Sequence, residues 1–201
     1  MPHGDRRALA ELLLERQGIV TRDGVRAEGI VGGYGAVYGE LKALETVGSF
    51  RRGYFVEGLG GAQFALPGAV ERLRELRRAE DDEPLVLAAA DPAQPYGGVL
   101  PWPRRAGARA ARVAGAHVVL LGGEAALYVE RGGRSLLPLR DPDPDWLRPA
   151  LAALVEWVRA DRGRRLSVER FDGRPVVESD VLQLLVEAGF LAGPKRAVLR
   201  P

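Results

Sequence analysis

Residues 33–67, GYGAVYGELKALETVGSFRRGYFVEGLGGAQFALP, decide the fold. Val37, Leu41, Leu44 and Val47 recur at helical spacing, which predicts a helix ended by Gly48. Gly35 and Gly39 weaken that helix by about 1 kcal/mol each relative to alanine. Phe50–Val56 then reads as a strand, Glu57–Gly61 as a glycine-rich turn and Ala62–Leu66 as a returning strand. Upstream, Leu9, Leu12, Leu13 and Arg16 predict a helix over 6–17, stopped by Gly18. Ile19-Val20 form a short extended link. Thr21 can cap a second helix running to Glu28, which Gly29 stops. Downstream, a helix from about Gly68 to Arg78 closes the unit. Three helices followed by a β-hairpin is the element order of a winged helix-turn-helix.

A winged helix lays its third helix in the major groove and its wing on the backbone or the minor groove. With Val37, Leu41, Leu44 and Val47 turned inward, the exposed face of the third helix holds Tyr38, Lys42 and Glu45. Glu40 and Glu45 oppose phosphate there. The wing starts with Arg51-Arg52 and Tyr54, a better set for phosphate contact and base stacking. The competing reading of the same unit is a structural spacer or a protein contact.

The mixed-charge stretch Arg77–Glu83, ending at Pro84, is the linker candidate, which divides the chain into modules 4–80 and 84–201. The second half changes character. Leu85–Ala90 reads as an apolar strand. Arg112–Leu121, Ala125–Arg131 and Arg134–Leu139 read as three more, with Gly122-Gly123 and Gly132-Gly133 as turns. Asp143 or Asp145 can cap a helix to about Asp161, in which Pro149 is acceptable only near the first turn. Leu166–Phe171 and Pro175–Val177 make a hairpin around Asp172-Gly173. Ser179 caps a last helix to Ala188, and Ala197–Arg200 forms a final strand. The expected fold class is α+β: a winged helix followed by a small β-barrel-like domain with appended helices.

Within this half, the proline-fixed loop Asp91–Pro103 carries Tyr96 and Trp102, which either stack bases or plug the end of the barrel. Arg131 and Arg134 flank a hairpin turn and can grip phosphate; a solvated tip is the plain alternative. His117, alone in an apolar strand, reads as structural.

Composition removes several functions. The chain has no cysteine and two histidines, so thiolate catalysis, disulfides and Cys- or His-built metal sites are not expected. No apolar run approaches the roughly 18 residues of a membrane span, and the N-terminus lacks an apolar signal core; the expectation is a cytoplasmic protein without membrane partners. No phosphate-binding loop occurs, so this chain does not hydrolyse ATP by itself. The bases are nearly all arginine, with Lys42 and Lys195 the two lysines. A GC-rich genome explains that bias as readily as nucleic acid does.

Tyr54-Phe55-Val56-Glu57-Gly58 followed by Gln63-Phe64-Ala65-Leu66-Pro67 resembles the wing in the C-terminal region of Lhr (large helicase-related) helicases. Asp91-Pro92-Ala93 with Tyr96-Gly97, Leu100-Pro101-Trp102-Pro103, Tyr128–Arg134, Val168-Glu169-Arg170 with Asp172-Gly173, and Glu187-Ala188-Gly189-Phe190 continue the resemblance in order. Gln94 departs from it, standing where asparagine is expected. The resemblance implies a last winged helix plus barrel module, in one polypeptide with a helicase core that carries the ATPase. It also implies a likeness to AlkZ/YcaQ DNA glycosylases. Gln63-Phe64-Ala65 is superficially similar to their Gln-apolar-Gln/Asp motif, but its third position is Ala65 and the motif is not carried over.

Three functions follow as expectations: binding of DNA, or of an RNA:DNA hybrid, for a repair helicase; glycosylase action on uracil or alkylated bases; and homo-oligomerisation. Of the acids near strand or loop ends, Asp91, Glu130, Glu169, Asp172 and Asp180, Asp91 is the first catalytic candidate, because it follows an apolar strand, has no charged neighbour in sequence and opens the stiff loop. Its plain reading is a turn cap before Pro92. No cofactor is implied.

Overall fold

The structure is a computed structural model that describes residues 3–77, 83–105, 109–160 and 165–200. The linker candidate falls mostly on residues outside these ranges. The chain divides into two compact units, Met1–Glu80 with Gly98–Leu100, and Asp81–Gly97 with Pro101–Pro201.

The first unit has helices α1 (His3–Gln17), α2 (Arg22–Ala27), α3 (Gly33–Thr46) and α4 (Pro67–Leu76). Strands β1 (Ile19–Val20), β2 (Arg51–Gly53) and β3 (Gln63–Ala65) pair antiparallel in the order β1-β3-β2. Ala10, Leu13 and Leu14 of α1 meet Val25 of α2, Val37, Leu41 and Leu44 of α3, and Phe64 of β3 in one core. Each fully buried leucine contributes about 1.5–3 kcal/mol. Leu12, expected on this stripe, is half exposed, whereas Leu13, also expected there, is buried together with Ala10 and Leu14. Thr21 caps α2 as expected, its Oγ1 accepting from Gly24 N at 2.9 Å. Val47 departs from expectation. The helix stops at Thr46, Gly48 turns the chain with φ +81°, and Val47 is 76% exposed.

The second unit holds β4 (Leu85–Ala88), β5 (His117–Leu121), β6 (Glu124–Val129), β7 (Ser135–Pro138), helix α5 (Pro144–Arg159), β8 (Leu166–Val168), β9 (Arg170–Phe171) and β10 (Arg174–Pro175). Helix α6 (Val181–Glu187), β11 (Leu191–Ala192) and β12 (Ala197–Leu199) follow. Six strands form one sheet in the order β10-β9-β7-β6-β5-β4, and β11-β12-β8 form a second. All described pairs are antiparallel except β7 with β9.

The six-stranded sheet is covered on both faces. Val119, Leu127, Val129 and Leu136 point to α5 and α6, where Leu151, Leu154 and Leu185 complete one core. Val118, Leu120, Tyr128 and Leu137 point the other way, against Tyr96 and Trp102. The alternation follows from the two-residue period of a strand. Burial on both faces explains why these strands read as continuous apolar runs.

Several boundaries differ from the sequence reading. Residues 112–116 are not strand, because Gly115 turns the chain with φ +81°. The segment 166–171 is two strands in two sheets, separated by Glu169. Ser179 does not cap α6; its hydroxyl donates to Val176 O at 2.8 Å, and Asp180 stands at the cap without a side-chain bond. Asp143 caps α5 through Asp145 N, but Pro149 lies beyond the first turn. It stands on the exposed side, where the hydrogen bond it cannot donate is lost towards solvent.

Candidate nucleic-acid interface

The wing is built on one buried amide. Gln63, at the start of β3, is 0% exposed. Its Oε1 accepts from Phe55 N and Val56 N, both at 2.8 Å, and its Nε2 donates to Val56 O at 2.9 Å and Leu59 O at 3.1 Å. Both amide hydrogens and both lone pairs are thus used. The loop between β2 and β3 has no ladder of its own over residues 54–62, and Gln63 stands in for that ladder. The residue that superficially matches a glycosylase motif is a clamp for the wing.

The clamped loop presents Tyr54, 85% exposed. Arg51 and Arg52 lie beside it on β2, both exposed. Arg52 Nε is 3.2 Å from Glu45 Oε1 of α3, so one wing arginine is already paired with one of the carboxylates that oppose phosphate. Lys42 is exposed on α3. Tyr38 is not a free surface group: it is partly buried, with its ring edge-on to Phe64 at 6.0 Å and 5.6 Å from Tyr34. Among the predicted contacts, therefore, Arg51, Arg52, Tyr54 and Lys42 are exposed in the first unit, while Tyr38 is partly buried.

Arg131 and Arg134 belong to the second unit, at the turn between β6 and β7. Both are exposed, and Arg134 lies 4.0 Å from Glu169. The turn is tight: Gly133 has φ +69°, and a Cβ there would meet Leu166 Cδ2 at 2.6 Å.

Asp91 makes a local turn. Its Oδ1 accepts from Ala93 N at 2.8 Å, across Pro92. Gln94 is buried and donates to Ala89 O at 3.0 Å and Tyr96 O at 2.9 Å, while Arg112 donates to Asp91 O at 2.9 Å and to Gln94 O. The loop behind Asp91 is thus held by one amide and one guanidinium. Further on, Trp102 stacks on Tyr96 at 5.9 Å and meets Tyr128 edge-on at 5.7 Å. These rings pack against Val118, Leu120 and Leu137 on one face of the sheet. His117 packs on Trp157, ring centroids 4.4 Å apart.

Sequence reasoning missed a cleft of about 790 Å³ in the first unit. Arg22 and Arg26 of α2 line one side, Tyr34 and Tyr38 of α3 another, and Ala62 is a further lining residue. Tyr34 donates its hydroxyl to Ala62 O. Burial, with Tyr38 beside it, pushes the Tyr34 phenol up to about 12, against the opposing effect of Arg22. The cleft's lining residues lie mostly within 22–38 but on two different helices, with Ala62 from the end of the wing loop, so the spacing along either helix does not announce it.

A helix-turn-helix core with a three-stranded sheet and a clamped wing is a winged-helix domain. Residues 2–85 match the sequence profile described as the winged-helix domain of the large helicase-related protein. The first unit is therefore a winged-helix domain of the Lhr type. The likeness extends past it. A Mycolicibacterium smegmatis protein named Lhr helicase/probable uracil glycosylase is 47% identical over 178 residues, covering 86% of this chain. An Escherichia coli (strain K12) protein named Lhr helicase/uracil glycosylase is 37% identical over 193 residues, covering 94% of this chain. The matched stretch is 12% of the length of each relative. No helix among the described residues is long and apolar enough to cross a membrane.

Proposed function

We propose that this chain is a nucleic-acid-binding segment of an Lhr-type DNA-repair helicase, working in one polypeptide with a helicase core. The observation that carries the reading is the wing, where Gln63 holds the loop that presents Tyr54 to solvent beside Arg51 and Arg52, both exposed on β2. A rigid wing loses little conformational freedom on binding, so more of the contact energy appears as affinity. The arginines supply phosphate contacts that carry no sequence information, so binding tolerates many sequences and weakens with salt.

Replacing Arg51 and Arg52 together by alanine should weaken duplex binding about tenfold and lower the salt slope by about one to two counterions. Fluorescence anisotropy at several salt concentrations measures both. Unchanged affinity in a variant with the parent melting temperature would refute the wing as the contact.

A second reading is base excision, favoured because both relatives carry uracil glycosylase in their names. Asp91 is the proposed base for water in that case. Asp91→Asn keeps the oxygen that accepts from Ala93 N and loses the ionisable group, so it tests the chemistry without dismantling the turn. We expect the isolated chain to release no uracil from single-stranded or duplex DNA in an alkali-cleavage assay. Release that is abolished by Asp91→Asn would establish the second reading.

A further inference from the structure

The cleft between α2 and α3 has the composition of a nucleotide site. Arg22 and Arg26 stand one helical turn apart on α2 and share a face. Arg26 donates to Asp23 at 2.7 Å, whereas among the described residues no carboxylate pairs with Arg22. Among the described residues, no acidic side chain lines the cleft. Its floor is the glycine-rich start of α3. Gly33 and Gly35 lie on it, and a Cβ at either would meet nothing within 4 Å, so the space above them is open. The cap residue Gly32 offers no side-chain bond to the first amides of α3, and the first turn has no acidic residue. Gly33 N already donates to Ile30 O at 2.8 Å, whereas the amides of Tyr34 and Gly35 behind it point out of the helix without an intrahelical acceptor.

The aromatic side is fixed. Tyr34 is tied through its hydroxyl to Ala62 O, and Tyr38 rests on Phe64 of the core. Two held rings beside two guanidinium groups offer a face for a base and a charge for its phosphate. A volume near 790 Å³ lies within the range of small-molecule sites and exceeds what one side chain fills. A duplex hides its base faces in the stack, so a tyrosine face selects an unstacked base.

We infer that the α2–α3 cleft binds one unstacked nucleotide of single-stranded DNA, its phosphate against Arg22, Arg26 and the amides of Tyr34 and Gly35 and its base against the rings of Tyr34 and Tyr38. This rests on the nucleic-acid-binding reading but uses residues separate from the wing. The site would hold a displaced strand or strand end while the wing holds duplex.

The test uses the full 201-residue chain, labelled with ¹⁵N, and the probe (dT)₈ beside a blunt duplex. The amides of Gly33 and Gly35 should shift with (dT)₈. Arg22→Ala combined with Arg26→Ala should weaken (dT)₈ binding about tenfold and lower its salt slope by about one to two. Gly35→Leu, which fills the cleft and removes no charge, should weaken it comparably with the slope unchanged. Folded cleft variants that bind (dT)₈ like the parent would overturn the inference. Loss of (dT)₈ binding in Arg51→Ala/Arg52→Ala alone, without shifts at Gly33 and Gly35, would also overturn it and leave the wing reading standing. If the parent chain binds neither probe, both readings fall.

Discussion

Gln63 shows how much one residue can hold. Its amide satisfies two backbone N–H groups and two carbonyls that have no strand partner. Gln63→Ala would leave those donors unmet in a buried place, where each orphaned group costs about 1–3 kcal/mol. With water entering part of the gap, a net loss of about 2–4 kcal/mol is expected in urea unfolding, together with weaker DNA binding because the wing is loosened. A variant as stable as its parent would show that the loop holds itself. Tyr34 makes a second residue-scale case. Its folded phenol titrates near 12 against an ordinary value of 10. A raised pKa means the folded state keeps the proton more tightly than the unfolded chain does. That stability is whole below pH 10 and is lost as pH rises from 10 to 12. Alkaline unfolding should therefore steepen in this window, and Tyr34→Phe should flatten it. An identical profile in the two proteins would place the titrating group elsewhere.

Among elements, the loop from Asp91 to Pro103 is the most sharply constrained. Gly97 has φ +75°, and a Cβ there would stand 2.3 Å from Trp102 Nε1. Gly97→Ala must displace the indole, and Trp102→Ala removes it from between Tyr96 and Tyr128. Trp102 is partly exposed, so its truncation should cost about 2–3 kcal/mol, below the 3–5 of a fully buried aromatic. Thermal unfolding measures it; native melting with lost DNA binding would instead make Trp102 a stacking residue. Elements governed by local chemistry were legible in the sequence. Thr21 caps a helix by its own hydroxyl, and Asp172-Gly173 turns a hairpin because both residues adopt positive φ. Elements governed by distant partners were not. Residues 166–171 look like one strand until β12 takes the first half and β7 the second. The cleft escaped for the same reason, since Arg22, Tyr34 and Ala62 meet only in three dimensions. The wing residues were legible as charge, but the pairing of Arg52 with Glu45 was not.

On the scale of the whole molecule, the two units share no core residue among the described residues. Val37 and Leu41 belong to one cluster, Leu151 and Leu154 to another. Two melting transitions are expected in calorimetry. Val37→Ala should lower one of them and Leu151→Ala the other; a single transition lowered by both would show one cooperative unit. All three tryptophans lie in the second unit, so their fluorescence should follow its transition alone. The parallel pairing of β7 with β9 has a practical consequence for anyone cutting this chain. Ser135 and Leu136 find Arg170 and Phe171 only after α5 has crossed the sheet. A fragment ending before residue 170 would keep β7 but leave its outer edge bare, with two leucines in the sequence Ser135-Leu136-Leu137-Pro138. Bare apolar edges recruit strands from other copies, so such truncations should precipitate on expression even though their β4–β7 sheet is complete.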